Sequence, residues 1–85
     1  MYGIRLSKRA AKDLDKLQDP AWRRLQQAVS KLRHDPRPHG CVKLVNVDAF
    51  RIRVGEYRVV YDIDEVEKII KVHRIRHRRD VYKDL

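Results

Sequence analysis

The apolar period changes once along this chain, at the Pro-rich stretch Asp35-Pro36-Arg37-Pro38. Before it, Ala10, Leu14 and Leu17 recur at helical spacing, and Trp22, Leu25, Val29 and Leu32 do the same as a second apolar stripe. After it, Ala49 to Val54 and Tyr57 to Ile63 alternate as strands do. Helices early and hairpin strands late can bury both kinds of apolar face most simply by laying the helices on one side of an antiparallel sheet. Tyr2 to Leu6 reads as a first strand with Tyr2, Ile4 and Leu6 on one face, and Ser7 as the N-cap of the first helix. Asp19 is placed to cap a second helix with Pro20 in its first turn. The first helix is too short to persist alone in water, so the two should pack as a hairpin. Val42 to Val45 and Lys68 to Ile75 supply further strands. The expected fold class is α+β: β-α-α followed by an antiparallel β-meander, with the helical hairpin on one sheet face. One domain is expected over residues 1–85.

Gly55-Glu56 joins two alternating runs, and a two-residue loop with Gly first favours a type II′ hairpin turn. The register then follows by counting: Val54 faces Tyr57, Arg53 faces Arg58, Ile52 faces Val59, Arg51 faces Val60 and Phe50 faces Tyr61. One face carries Phe50, Ile52, Val54, Tyr57, Val59 and Tyr61 and belongs to the core, covered by the helix of Trp22 and Leu25. The other carries Arg51, Arg53 and Arg58. Like charges directly opposite across a hairpin are destabilising. A phosphate between the guanidiniums relieves that repulsion and suits their planar fork.

Composition narrows the class of partner. The chain has 85 residues, 42% of them hydrophobic and 39% charged, with 21 Lys and Arg against 12 Asp and Glu and a net charge of +9. A single cysteine, Cys41, excludes an internal disulfide and paired CxxC zinc ligands. Unbroken aliphatic runs are no longer than pairs such as Ile69-Ile70, so no membrane span is expected. A soluble, cytoplasmic protein with a polyanionic partner is the expectation. Lys68, Lys71, Arg74, Arg76, Arg78 and Arg79 place six positive charges in twelve residues without an acid among them, and Tyr82 follows. Guanidiniums beside an aromatic ring suit a nucleic-acid groove. His73 and His77 are four apart, but on a strand that spacing does not bring both rings together, and the neighbouring arginines repel a cation. No metal and no cofactor are expected. His34 and His39 read as exposed loop residues, and Asp62 and Asp64 as part of a hairpin turn. There is no nucleophile elbow, phosphate-binding glycine loop or HExxH.

Phe50-Arg51-Ile52-Arg53-Val54-Gly55, then Tyr57-Arg58-Val59-Val60-Tyr61, then Arg74-Ile75-Arg76-His77-Arg78-Arg79-Asp80-Val81-Tyr82 together resemble toxins of the RelE/ParE superfamily from bacterial toxin–antitoxin systems. The resemblance runs the length of the chain. Its RelE branch implies a ribosome-dependent, metal-independent endoribonuclease that cuts mRNA in the A site of the 30S subunit, inhibited by a RelB-like antitoxin in a heterodimer or heterotetramer. Its ParE branch implies gyrase inhibition without cleavage, and a non-catalytic basic RNA-binding module is a further alternative. The arginine of the Tyr57–Tyr61 segment and the terminal Tyr82 favour the RelE branch. By that resemblance Arg58 is the phosphate-binding arginine, and Tyr82 stacks on or orients the substrate. Arg51 and Arg53 stand where well-studied members have lysines and become phosphate clamps, because arginine stays charged. Arg78 matches the second family arginine by motif, and Arg76 matches it by gapless counting. Arg74 and Arg79 extend the phosphate-binding set. His77 is the candidate acid or base, being the one side chain of the constellation that ordinarily titrates near neutrality.

Overall fold

The computed structural model describes residues 1–81. In chain order its elements are β1 (Gly3–Leu6), α1 (Lys8–Asp15), α2 (Ala21–Lys31), β2 (Val42–Lys43), β3 (Phe50–Val54), β4 (Tyr57–Asp64), β5 (Ile69–His77) and a single turn of helix, α3 (Arg78–Val81). The strands form one sheet in the order β1-β5-β4-β3-β2. β2 to β5 are an antiparallel meander, whereas β1 runs parallel to β5 and makes the sheet mixed. Among the described residues no helix is long and apolar enough to cross a membrane.

α1 and α2 cover one sheet face. Leu25 and Val29 of α2, Leu32 just beyond it and Ala10 of α1 meet Ile52, Val59, Tyr61, Ile70, Val72 and Ile75 of the strands. Full burial of an aliphatic side chain of this kind contributes roughly 1.5–3 kcal/mol, so these contacts carry the fold. Trp22 differs from the sequence expectation: it is 38% exposed, because the apolar stripe of α2 enters the core at Leu25 and leaves Trp22 at the rim. Asp19 also differs. It pairs with Arg23 at 3.4 Å, and Pro20 occupies the N-cap position with no side-chain cap. The β3–β4 register agrees at all five expected pairs, and Gly55 takes the left-handed conformation (φ 60°) that the turn requires.

β5 contains the feature that orients the site. Its core residues are Ile70 and Val72, then Ile75, so the inward parity shifts by one along the strand. A β-bulge absorbs the shift. Tyr61 pairs with Val72 and Val60 with Arg74, leaving His73 as the additional residue. Without it the register set by Tyr61 and Val72 would put Arg74 opposite Val59 in the core and Ile75 opposite Arg58 outside.

Ser7, the N-cap of α1, and Asp13 within the helix secure the backbone of β5 at and beyond the bulge, where β1 has ended. The Ser7 N–H donates to the Val72 carbonyl (2.9 Å), and its hydroxyl donates to the His73 carbonyl (2.8 Å) while accepting from the Ala10 N–H (3.0 Å). Asp13 accepts the Ile75 N–H (2.9 Å) and both Nε and a terminal nitrogen of Arg74 (2.9 and 3.2 Å). His73 meets Asp62 through Nε2 at 2.5 Å. Asp64 accepts from the Val66 and Glu67 N–H groups, the turn role expected of it.

Burial alone would raise the Asp13 carboxyl, but the Arg74 side chain, the Ile75 N–H and the charges of Arg74 and Arg76 outweigh it and hold the pKa below the ordinary aspartate value. A depressed folded-state pKa means that the ionised form contributes stability above the unfolded value, and that this is lost as pH falls through the folded value. Asp13→Asn should therefore cost about 1–3 kcal/mol at neutral pH in urea denaturation, because it weakens a charge-assisted network and leaves Arg74 poorly paired. The difference between the two proteins should shrink as pH is lowered below about 4.

Candidate active site

Alternation from the buried Ile52, Val59 and Ile75 puts Arg53, Arg58 and Arg76 on the open sheet face. Arg53 pairs with Arg58, and Arg58 pairs with Arg76. Three arginines thus stand in one row across β3, β4 and β5. Arg51, Val60 and Arg74 form the next row toward the sheet centre. Continuing outward, Glu56 and Arg78 follow on the same open side.

Arg53, Arg58, Arg78 and Arg79 line a cavity of about 370 Å³ together with Gly55, Glu56 and Tyr57. The structure therefore gathers Arg58, Arg78 and Arg79 from the C-terminal cluster and the hairpin into one place. Arg58 Nε is sheltered from water and finds no hydrogen-bond partner among the described residues. Four guanidiniums against one carboxylate give this cavity a net positive lining, and the planar fork of arginine suits an anion with several oxygens.

Three other arginines of the expected set are placed differently. Arg74 is held by Asp13, and its side chain is 29% exposed. Arg76 shares the row with Arg58 yet also lines a neighbouring groove with Asp13, Lys16 and His77, and its charge acts on Asp13. Arg51 lies one row away, opposite Val60. Tyr82 lies outside the described residues.

His77 pairs with Tyr57 and, like Tyr57, lies on the helix side of the sheet. Their rings meet edge to face with centroids 5.2 Å apart. The Arg79 N–H donates to His77 Nδ1 at 3.2 Å, so a neutral ring carries its proton on Nε2. His77 borders the groove beside α1 and does not line the arginine cavity. A larger cavity of about 680 Å³ takes in His34 and His39 and shares Arg53 with the site, but its floor is Ala28, Leu32 and Ile52.

Glu56 is the side chain of the cavity that sequence reasoning passed over. In the sequence it stands only as the second residue of the hairpin turn. Its carboxylate stands 2.9 Å from Arg78 Nε, and its carbonyl accepts the Arg78 N–H at 2.8 Å. The signal that finds it is the pairing of Arg58 with Arg76, which on a regular ladder brings residue 56 beside residue 78.

Residues 4–82 match the family model described as ParE toxin of type II toxin–antitoxin system, parDE. The chain is 24% identical over 87 residues to the RelE1 protein of Methanocaldococcus jannaschii, covering 98% of this chain and 97% of that one. Among solved structures it is similar to the archaeal RelE–RelB complex of Pyrococcus horikoshii, with a TM-score of 0.81 and 29% identity over 91% of this chain and 94% of that one. It is likewise similar to the RelBE2 toxin–antitoxin complex of Mycobacterium tuberculosis, with a TM-score of 0.80 and 25% identity over 89% and 96% of the two chains.

The arginine row sets charge repulsion against anion binding. Arg58→Met removes the central charge and keeps most of the apolar stem. Without added anion, the variant should match or exceed the parent stability by up to about 1 kcal/mol, the scale of a relieved cross-strand like-charge pair. Added pyrophosphate should raise the melting temperature of the parent and leave that of the variant nearly unchanged.

Proposed function

The chain belongs to the ParE toxin family of type II toxin–antitoxin systems, within the RelE/ParE superfamily, and on that footing we propose that it works in the RelE manner, as an endoribonuclease that cuts mRNA in the ribosomal A site. The observation that carries this reading is the Arg53–Arg58 pair, directly opposed across the hairpin and lining a cavity that Arg78 and Arg79 complete. Such a pair is costly in a small sheet, and a phosphodiester with developing charge is the ligand that repays it.

In this mechanism the ribose 2′-oxygen forms a bond to the adjacent phosphorus as the bond from phosphorus to the 5′-oxygen breaks. The 2′-hydroxyl proton passes to a base and the 5′-oxygen gains a proton from an acid. The products are a 2′,3′-cyclic phosphate and a 5′-hydroxyl. Arg58 at the centre of the row, with Arg53 and Arg78 beside it, stabilises the extra charge on the non-bridging oxygens. Arg79 holds a flanking phosphate, Arg51 and Arg76 guide the chain along the sheet, and Arg74 stays with Asp13. Tyr82 orients the substrate base. His77 lies on the helix side of the sheet and outside the arginine cavity, so as the candidate acid or base it would act from the groove beside α1, through Nε2 because Nδ1 accepts the Arg79 N–H.

A RelB-like antitoxin is the partner, as in the RelE–RelB complexes of similar fold. A chain of net charge +9 suits an acidic peptide that folds on binding and closes the arginine cavity. The family description favours a second reading, a ParE-type inhibitor of gyrase that leaves RNA intact.

Primer extension on mRNA after induction separates the two, since only the first yields cuts within translated codons. On that reading Arg58→Ala should stay folded and soluble while single-turnover cleavage on programmed ribosomes drops by about 10²–10³-fold, the usual loss for one transition-state charge donor. Cleavage by Arg58→Ala at the parental rate would remove the central arginine from the mechanism.

His77 is tested by the pH–rate profile. The parent should show a pH-dependent limb that rises with pH if His77 is the base and falls if it is the acid. His77→Gln should abolish the limb and slow cleavage with ribosome binding unchanged. Should rate and profile both survive, proton transfer belongs to another group and Arg78 and Tyr82 become the next residues to test.

A further inference from the structure

Glu56 is the one carboxylate lining the arginine cavity among the described residues. Two considerations argue against a carboxylate there. A type II′ turn asks for glycine at its first central position, which Gly55 supplies, and does not call for Glu at the second. A fixed negative charge beside a phosphate site also weakens binding of the phosphate. Glu56 thus opposes the ligand that the rest of the cavity favours, and something else must account for it.

Its contacts do. The Glu56 carbonyl accepts the Arg78 N–H and the Glu56 carboxylate stands beside Arg78 Nε, so one residue grips both backbone and side chain of the other. Arg78 sits where β5 gives way to α3, one residue past the end of the ladder. The strand pairing that holds Arg58 and Arg76 therefore does not reach it. The contact is made through Nε, so the terminal amino groups of the guanidinium are not needed for it and suit phosphate oxygens.

We infer that Glu56 is a positioning residue for Arg78, fixing its guanidinium toward the scissile phosphate at the expense of ground-state affinity. The inference rests on the ribonuclease reading. The side chains of the pair are 68% and 58% exposed. Exposed pairs of this kind bias a conformation by up to about fivefold.

The test is single-turnover cleavage on programmed ribosomes by the full chain carrying Glu56→Ala, Glu56→Gln, Arg78→Ala, and Glu56→Ala with Arg78→Ala. Glu56→Ala should lower the maximal rate by about fivefold. It should also lower the half-saturating concentration, because a negative charge has left the anion site. Glu56→Gln keeps an acceptor oxygen, so it should share the gain in affinity and hold the rate within about twofold of the parent. In the Arg78→Ala background, Glu56→Ala should not slow cleavage further. Loss of affinity together with rate, or rate losses that simply multiply in the double variant, would overturn the assignment.

A readout independent of cleavage is the exchange of the Arg78 Nε–H with water, followed by NMR. It should be up to about fivefold slower in the parent than in Glu56→Ala. The same slowing in a parent that cuts no RNA would leave Glu56 as the positioner of Arg78 and refute the nuclease reading alone. Equally fast exchange in both proteins would refute the positioning itself.

Discussion

A single additional residue in β5 determines which way the C-terminal arginines face. Ile70 and Val72 must be buried against α2 and the β4 side chains, and so must Ile75, but the two sets have opposite parity. The bulge at His73 reconciles them. Because the side-chain period of a strand is two, this one insertion moves Arg74 and Arg76 from the core face to the open face, and Ile75 the other way. The cavity at the end of the sheet exists only in that register. The bulge in turn depends on neighbours that satisfy its backbone: the Ser7 side chain takes the His73 carbonyl, and Asp13 takes the Ile75 N–H.

α1 therefore has two functions. It contributes Ala10 to the core, and its polar side chains serve as a sheet edge where β1 has ended. An unpaired stretch of β5 would expose backbone donors and acceptors beside an apolar core, which is both costly and prone to pairing with other chains. Asp13 closes that stretch and in the same contact anchors Arg74, so one arginine of the cluster serves the fold.

The open face is organised by charge along its length. Arg53, Arg58 and Arg76 crowd one end, while Asp62, Asp64 and Lys71 occupy the other, with Lys71 3.7 Å from Asp64. Lys71 partly offsets the two carboxylates at the second end, and at the first Arg53 and Arg58 face each other across the ladder. Stability is set against function at the arginine end, where repulsion is tolerated because the apolar residues beneath hold the strands in place. Glu56 is the local exception, a counter-charge at the margin that bears on Arg78 and leaves the Arg53-Arg58-Arg76 row as it stands.

How much of this was legible depends on distance along the chain. The β3–β4 register could be counted because Gly55-Glu56 closes a loop of two residues, and the open-face position of Arg51, Arg53 and Arg58 followed from alternation alone. Periodicity likewise yielded the order of helices and strands, and Ser7 as a cap, since these are local. The exposure of Trp22 was not legible: a helical stripe identifies a face, but the depth at which each position sits depends on where the sheet meets it. Nor was the separation of His77 from Arg58, though the parity break between Val72 and Ile75 contains it in principle. The sequence by itself determined a basic α+β domain with an arginine-faced hairpin, because hydrophobic period and turn chemistry act over a few residues. Only the tertiary structure decided that β1 docks parallel on β5, that Asp13 takes Arg74 across 61 residues of chain, and that Glu56 rather than His77 shares the cavity with Arg58. Those outcomes turn on which distant backbone groups must be satisfied and which apolar side chains must be buried together, and no local pattern encodes that choice.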